Sequence, residues 1–239
     1  PLYVSCKNGH VDAARLLLDK GAGVDRADKR GRTPLDIAKR EDHDAVVALL
    51  EEHMDLKFPL HAAARTGDVE AMTQLLDGGA VVDAKNDDAT PLFIACQNGH
   101  VDAARLLLDN GAEVDRTRED GQTPLYIACE KGHVDAARLL LERKADVNRA
   151  PEDGVTPLSM ACYMGHVDTA RLLLDKGAEV DRAEKQGATP LYIACRKGRV
   201  DAARLLLDKG AAVDRADKGG WTPLSMACYM GHVDTARLL

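Results

Sequence analysis

Six cysteines and eight histidines are the side chains here best suited to nucleophilic, redox or metal chemistry, and their spacing is almost strictly periodic. Cys96, Cys129, Cys162, Cys195 and Cys228 recur every 33 residues, and Cys6 holds the same place in an earlier unit. Paired, they would form a disulfide framework. Equivalent helices in stacked units lie about 8–10 Å apart, however, beyond the usual disulfide Cα separation of roughly 4.4–6.8 Å. The cysteines are therefore expected as unpaired core residues, which favours a reducing compartment. His10, His43, His100, His133, His166 and His232 likewise share one position, and Arg199 takes it in one unit. Metal ligands must converge to about 2 Å from one point, which a row stepped by the repeat cannot do. Hydrogen bonding to the neighbouring unit is the expected role. No nucleophile is set beside a base and an orienting acid, the glycines form no phosphate loop, and GxSxG, HExxH and CxxC are absent. No catalytic, cofactor-binding or metal site is expected, and the chain is read as a non-enzyme.

The period itself sets the architecture. Pro91, Pro124, Pro157, Pro190 and Pro223 each follow Thr and precede Leu at the same 33-residue step, which Pro1 and Pro34 also keep. Such self-similarity signals a stacked array rather than one globular core. In the unit from Pro124, Thr123 caps a first helix that Pro124 can begin without losing a needed hydrogen bond. Gly132 ends it in the left-handed conformation. From Val134, VDAARLLL predicts a second helix with Val134, Ala137, Leu140 and Leu141 on one face. Asp135, Arg138 and Glu142 fall on the opposite, solvated face. The Asp-, Asn-, Pro- and Gly-rich stretch that follows is turn chemistry. Neither helix can bury its apolar face alone, so the units must stack.

TPLYIAC, KGHVDAARLLL and the pair Gly111 and Ala112 resemble the ankyrin repeat, and the resemblance covers essentially the whole chain. It implies an all-α solenoid of stacked helix-turn-helix units with projecting hairpin loops, or fingers. First helices and fingers would form a concave surface that binds proteins.

Composition agrees: 45% of residues are hydrophobic and only 3% aromatic, as suits thin layers of Ala and Leu. The net charge of −7 argues against a nucleic-acid partner and, taken over the whole chain, for a basic or neutral protein. No apolar run nears the roughly 18 residues of a membrane span, so membrane insertion is not expected. The localisation expected is intracellular and cytoplasmic, with the nucleus as the alternative. Nothing suggests a small-molecule substrate or a cofactor. The sequence begins without Met and stops inside a second helix, as a fragment of a longer protein would.

The period breaks once. Pro34 to Pro59 is only 25 residues, and within it Lys39 replaces the core Cys and Glu51 the last helical Leu. A charge there would be costly to bury beneath another unit. Residues 1–53 are accordingly expected to close a first array, with a regular repeat at 1–33 and a cap-like one at 34–53. Residues 54–58 would link it to a second array at 59–239, with repeats from 59, 91, 124, 157 and 190 and a truncated one from 223. The alternative is one superhelix with a missing finger.

Candidate binding residues come from differences between matched units. The third helical position holds Tyr126 and Tyr192 in two units but Ser159 and Ser225 in two others, which instead carry Tyr163 and Tyr229 one turn later. Met164 and Met230 follow, where other units have the polar pairs Glu130 and Lys131 or Arg196 and Lys197. Exposed Tyr and Met are typical interface anchors, although the rings could equally stiffen the stack. Trp221 at a finger base and Arg118, Glu119 and Asp120 at a finger tip complete the set. Lys144 stands where other units have a helix-ending Gly, so the repeat from Pro124 is expected to be the least stable full one in the second array.

Overall fold

A computed structural model of the chain describes every residue except Asp25, Ala27, Lys29 and Asp87. The helices come in pairs: α1 (Leu2–Lys7) and α2 (Val11–Asp19), α3 (Pro34–Arg40) and α4 (Asp44–Lys57), α5 (Pro59–Thr66) and α6 (Val69–Asp77), α7 (Pro91–Gln97) and α8 (Val101–Asp109). They continue as α9 (Pro124–Lys131) and α10 (Val134–Glu142), α11 (Pro157–Met164) and α12 (Val167–Asp175), α13 (Pro190–Arg196) and α14 (Val200–Asp208), α15 (Pro223–Tyr229) and α16 (Val233–Leu238). Among the described residues there is no strand, only an isolated bridge between Asn86 and Ala89.

The first helices start where Thr-Pro predicts. Oγ1 of Thr90, Thr123, Thr156, Thr189 and Thr222 accepts the backbone N–H three residues on, at 3.0–3.2 Å. Gly132 ends α9 at φ 75°, in the left-handed region. In α10 the buried face is Ala136, Ala137, Leu139 and Leu140, while Val134 and Leu141 are half-buried. It is thus rotated from the expected stripe, because α10 packs on α8 and α12 as well as on its own α9.

The histidine row ties each unit to the one before. Nε2 of His43, His100, His133, His166 and His232 lies 3.0–3.1 Å from the backbone oxygen of Lys7, Arg65, Gln97, Glu130 and Arg196 respectively. A carbonyl only accepts, so Nε2 donates. Arg199 keeps the link without the ring, its Nε donating to the Tyr163 oxygen at 3.1 Å. The finger bases carry a second ladder: Asp83, Asp115, Asn148 and Asp181 each accept, at 3.0 Å, the backbone N–H of Glu113, Asp146, Glu179 and Ala212 in the following unit.

First helix packs on first helix from α1 to α3 and again from α5 through α15, whereas α4 is what packs on α5. Two large, separate buried clusters result, one running from Leu2 to Leu50 and one from Leu60 to Ala227, beside a small third cluster of Ala188, Tyr192 and Ile193. Residues 54–57 form the last turn of α4, and Phe58 joins it to α5. Lys39 is exposed and pairs with Glu51 at 3.0 Å, and Arg65 donates to Asp55 at 2.6 Å, so charges on the first helices meet carboxylates of α4 rather than an apolar layer.

Candidate functional site

The aromatic residues of the first helices divide into floor and surface. Tyr126 and Tyr192 are each only 3% exposed. Burial raises the pKa of both hydroxyls, that of Tyr192 to about 12 with help from its hydrogen bond to Asp217. These two rings, expected as contact residues, therefore shape the groove from beneath. Ser159 is fully buried, its Oγ accepting from Thr156 Oγ1 at 3.0 Å. With no ring at that position, a cavity of about 240 Å³ opens between the repeats of α11 and α13. Ser159, Met160 and Tyr163 form one wall, Tyr192, Ile193 and Arg196 another, and the fingers add Glu184 and Asp217.

Tyr163 is half-buried at the rim, and the Lys197 ammonium sits 4.3 Å from its ring centroid. The interaction of its hydroxyl with Lys197, and then the charges of Lys197, Arg196 and Arg199, hold its pKa below the ordinary tyrosine value. Met164 beside it is 38% exposed. A second group forms at α15, where Tyr229 is 72% and Met230 47% exposed, and Trp221 lies with its ring centroid 5.3 Å from that of Tyr229.

The remaining candidates serve their own units first. Lys131 is exposed and pairs with the half-buried Glu130 at 2.9 Å. Arg118 reaches over the Phe93 ring at 5.4 Å, and Asp120 accepts the Gln122 N–H at 3.0 Å. Glu119 has an exposed side chain, while its backbone N–H donates to Asp88 of the preceding finger. Tyr163 and Arg196 are thus brought together with Tyr192 around one cavity, Lys197 lies over the Tyr163 ring, and Trp221 stands against Tyr229, while Met164 and Met230 are exposed beside Tyr163 and Tyr229 in the chain and Arg118, Glu119 and Asp120 form a separate finger tip.

The cysteines are all free; Cys6, Cys96, Cys129, Cys162 and Cys195 are buried and Cys228 is exposed. Burial pushes the Cys162 and Cys195 thiols up to about 12, far from the thiolate that nucleophilic chemistry uses. Among the described residues, no three His, Cys, Asp or Glu side chains are grouped to hold a metal ion.

The family of ankyrin repeats matches residues 1–58, 53–118, 110–184 and 180–239 of this chain. The chain belongs to the ankyrin-repeat family. Ankyrin repeats are generally protein–protein interaction modules, and the family is typically non-catalytic. The chain is similar to an ankyrin repeat domain-containing protein of Stachybotrys chartarum, 34% identical over 36% of this chain and 5% of that protein. It is also similar to a tyrosine-protein kinase of Hydra vulgaris, 33% identical over 33% of this chain and 12% of the kinase. A putative E3 ubiquitin-protein ligase of Arabidopsis thaliana is 34% identical over 33% of this chain and 24% of the ligase. The matched segments thus span a quarter or less of each relative's length. Among the described residues, no helix is long and apolar enough to cross a membrane.

Two features of this ankyrin array escape the sequence reading. His61 is buried beneath the first finger of the second cluster, with Nε2 at 2.9 Å from the Ala84 oxygen and 3.2 Å from that of Ala89. Its signal was available: it stands at the third helical position, where the regular units carry an aromatic ring or Ser. The Asp and Asn ladder was signalled too, by an Asx residue recurring at each finger base.

Proposed function

We propose that this ankyrin chain is a non-catalytic scaffold that binds a protein through the first-helix face, which the family resemblance implies is concave, and the fingers beside it. One observation carries the reading: Met164, Trp221, Tyr229 and Met230, the large apolar residues that distinguish otherwise matched repeats, are exposed at first-helix ends and a finger base. Side chains of this kind anchor interfaces at small ordering cost. The test is affinity capture from a lysate with the native chain and with Tyr163, Met164, Tyr229 and Met230 all changed to Ala, after matching helical content and melting. A discrete partner lost with the variant supports the groove. Capture unchanged by the variant moves the contact to the fingers, and no specific capture by either chain refutes the scaffold.

Two array units are part of the same proposal, residues 1–53 and 59–239, because the buried clusters are separate and first-helix stacking lapses between α3 and α5. A cytoplasmic setting is proposed from the free, buried cysteines, which a reducing compartment preserves. A second reading makes the chain a recruiting segment of a larger enzyme; the similarity to short stretches of a kinase and a putative ubiquitin ligase favours it. Chemistry would then lie outside these residues.

A further inference from the structure

Resting on that groove reading, we infer that the occupant is an acidic protein segment that seats an apolar side chain in the Ser159 cavity and sets a carboxylate against Arg196 and Lys197. The whole-chain charge of −7 hides a sharp division between faces. The first helices carry six cations, Lys7, Lys39, Arg40, Arg65, Lys131 and Arg196, against the two anions Asp36 and Glu130. The second helices carry seven cations against seventeen anions. The acidity lies mainly on the second helices, while the first helices are cationic and the fingers bring the carboxylates Glu184 and Asp217 to the far side of the cavity. Charge complementarity steers encounter and selects partners by this local field, not by the net value.

Most of the first-helix cations are already neutralised: Lys39 by Glu51, Arg40 by Glu41, Arg65 by Asp55 and Lys131 by Glu130. Arg196 and the adjoining Lys197 enter no ion pair among the described residues, and they flank the cavity, Arg196 as part of its wall and Lys197 over the Tyr163 ring. The two carboxylates on the opposite wall are occupied by their own fingers. Glu184 accepts the N–H groups of Gln186 and Ala188 at 2.8 and 3.0 Å, and Asp217 those of Gly219 and Trp221, both at 2.9 Å. Neither forms an ion pair with Arg196 or Lys197 among the described residues, and both repel an anion that strays to the finger side, which directs a docking carboxylate toward the two cations.

The cavity, about 240 Å³, has room for a Leu or Phe side chain, since one of about 150 Å³ admits benzene. A nucleic acid fits less well. Its affinity grows with the number of phosphates neutralised, and so few cations stand unpaired on this face while the finger wall is acidic.

The test pans a random linear-peptide library against the native chain, then measures the enriched peptides by fluorescence anisotropy. Net-negative peptides with an apolar residue beside Glu or Asp are expected. Their affinity should fall about tenfold in the Arg196→Glu, Lys197→Glu double variant, and by less when Gln replaces both, with melting unchanged. Neutral or basic peptides lost with the four-alanine groove variant overturn the acidic occupant yet leave the groove reading intact. Peptides insensitive to both variants, or no enrichment, overturn both. An oligo-dT strand that displaces the peptides with comparable affinity overturns the choice of a protein segment.

Discussion

Replacing Gly99 by Ala tests the link between one ankyrin unit and the next. Gly99 sits at φ 75°, where an L side chain costs roughly 1–2 kcal/mol. A Cβ built there would stand 2.7 Å from Nδ1 and 2.8 Å from Cε1 of His133. The ring must swing away, and its 3.1 Å bond to the Gln97 oxygen goes with it, a further loss of about 0.5–1.5 kcal/mol. Gly111 is the control: φ is 87°, and nothing lies within 4 Å of its would-be Cβ. Gly99→Ala should therefore destabilise by about 2–3 kcal/mol and Gly111→Ala by about 1–2 kcal/mol. Gly165→Ala should fall near the control, because it meets the flexible Arg199 side chain, with Cδ at 3.0 Å, rather than a ring. Urea unfolding followed by far-UV circular dichroism measures all three. A double-mutant cycle of Gly99→Ala with His133→Ala should return a coupling of about 1 kcal/mol, since removing the ring removes the clash. Equal losses at Gly99 and Gly111, or zero coupling, would refute the claim that the histidine row locks neighbouring units.

Two further perturbations address single residues. Lys144 is held at φ 67° where the matching positions in five other units are Gly, so Lys144→Gly should stabilise by about 1 kcal/mol and slow amide exchange in α9 and α10. Unchanged exchange would mean that this stop does not limit the repeat. Burial lowers the pKa of His61 from its ordinary 6.5, against the two carbonyls that favour the charged form. Below that value the unfolded chain takes up the proton more readily than the folded one. Stability is therefore lost as pH falls below about 6.5, and the loss ends once the folded ring also protonates. Urea midpoints should consequently drop more steeply with acid for the native chain than for His61→Leu, and parallel pH profiles would count against it.

The fold was legible because the information is local and repeated. Thr-Pro marks most first-helix starts, Gly closes most turns, and the core Cys and turn His recur on one step, so one unit read correctly gives nearly all. The groove was less legible because its shape depends on what the next unit places against each residue. Tyr126 and Tyr192 look like surface rings in sequence, yet the following unit and its fingers cover them. The compensating change, Ser159 with Tyr163, was visible as a pattern, but the cavity it opens arises only where the unit of α11 faces the ring of Tyr192 in the next. Net charge is coarse for the same reason: its sum is a property of composition, whereas its division between faces requires the assignment of each residue to a first or a second helix.

The chain contains its own control for what stacking contributes. Residues 157–173 and 223–239 are identical, so any difference between them comes from their surroundings. Ala161 and Ala227 are both fully buried, and Thr169 and Thr235 nearly so, which shows that the unit and its predecessor cover these positions. Leu158 is 1% exposed but Leu224 is 41%, and Cys162 is buried while Cys228 is exposed; those positions are covered only by a following unit. Covering that fraction of one Leu contributes about 1 kcal/mol, and several such side chains per face explain how short helix pairs with no core of their own hold together. The methionines behave differently. Met164 is 38% exposed with a unit following it and Met230 is 47% exposed without one, so their exposure hardly depends on the stack. An apolar side chain that stacking leaves uncovered in an otherwise well-packed unit is therefore a stronger candidate for recognition than Tyr229, whose sequence equivalent Tyr163 is half-covered beneath Lys197.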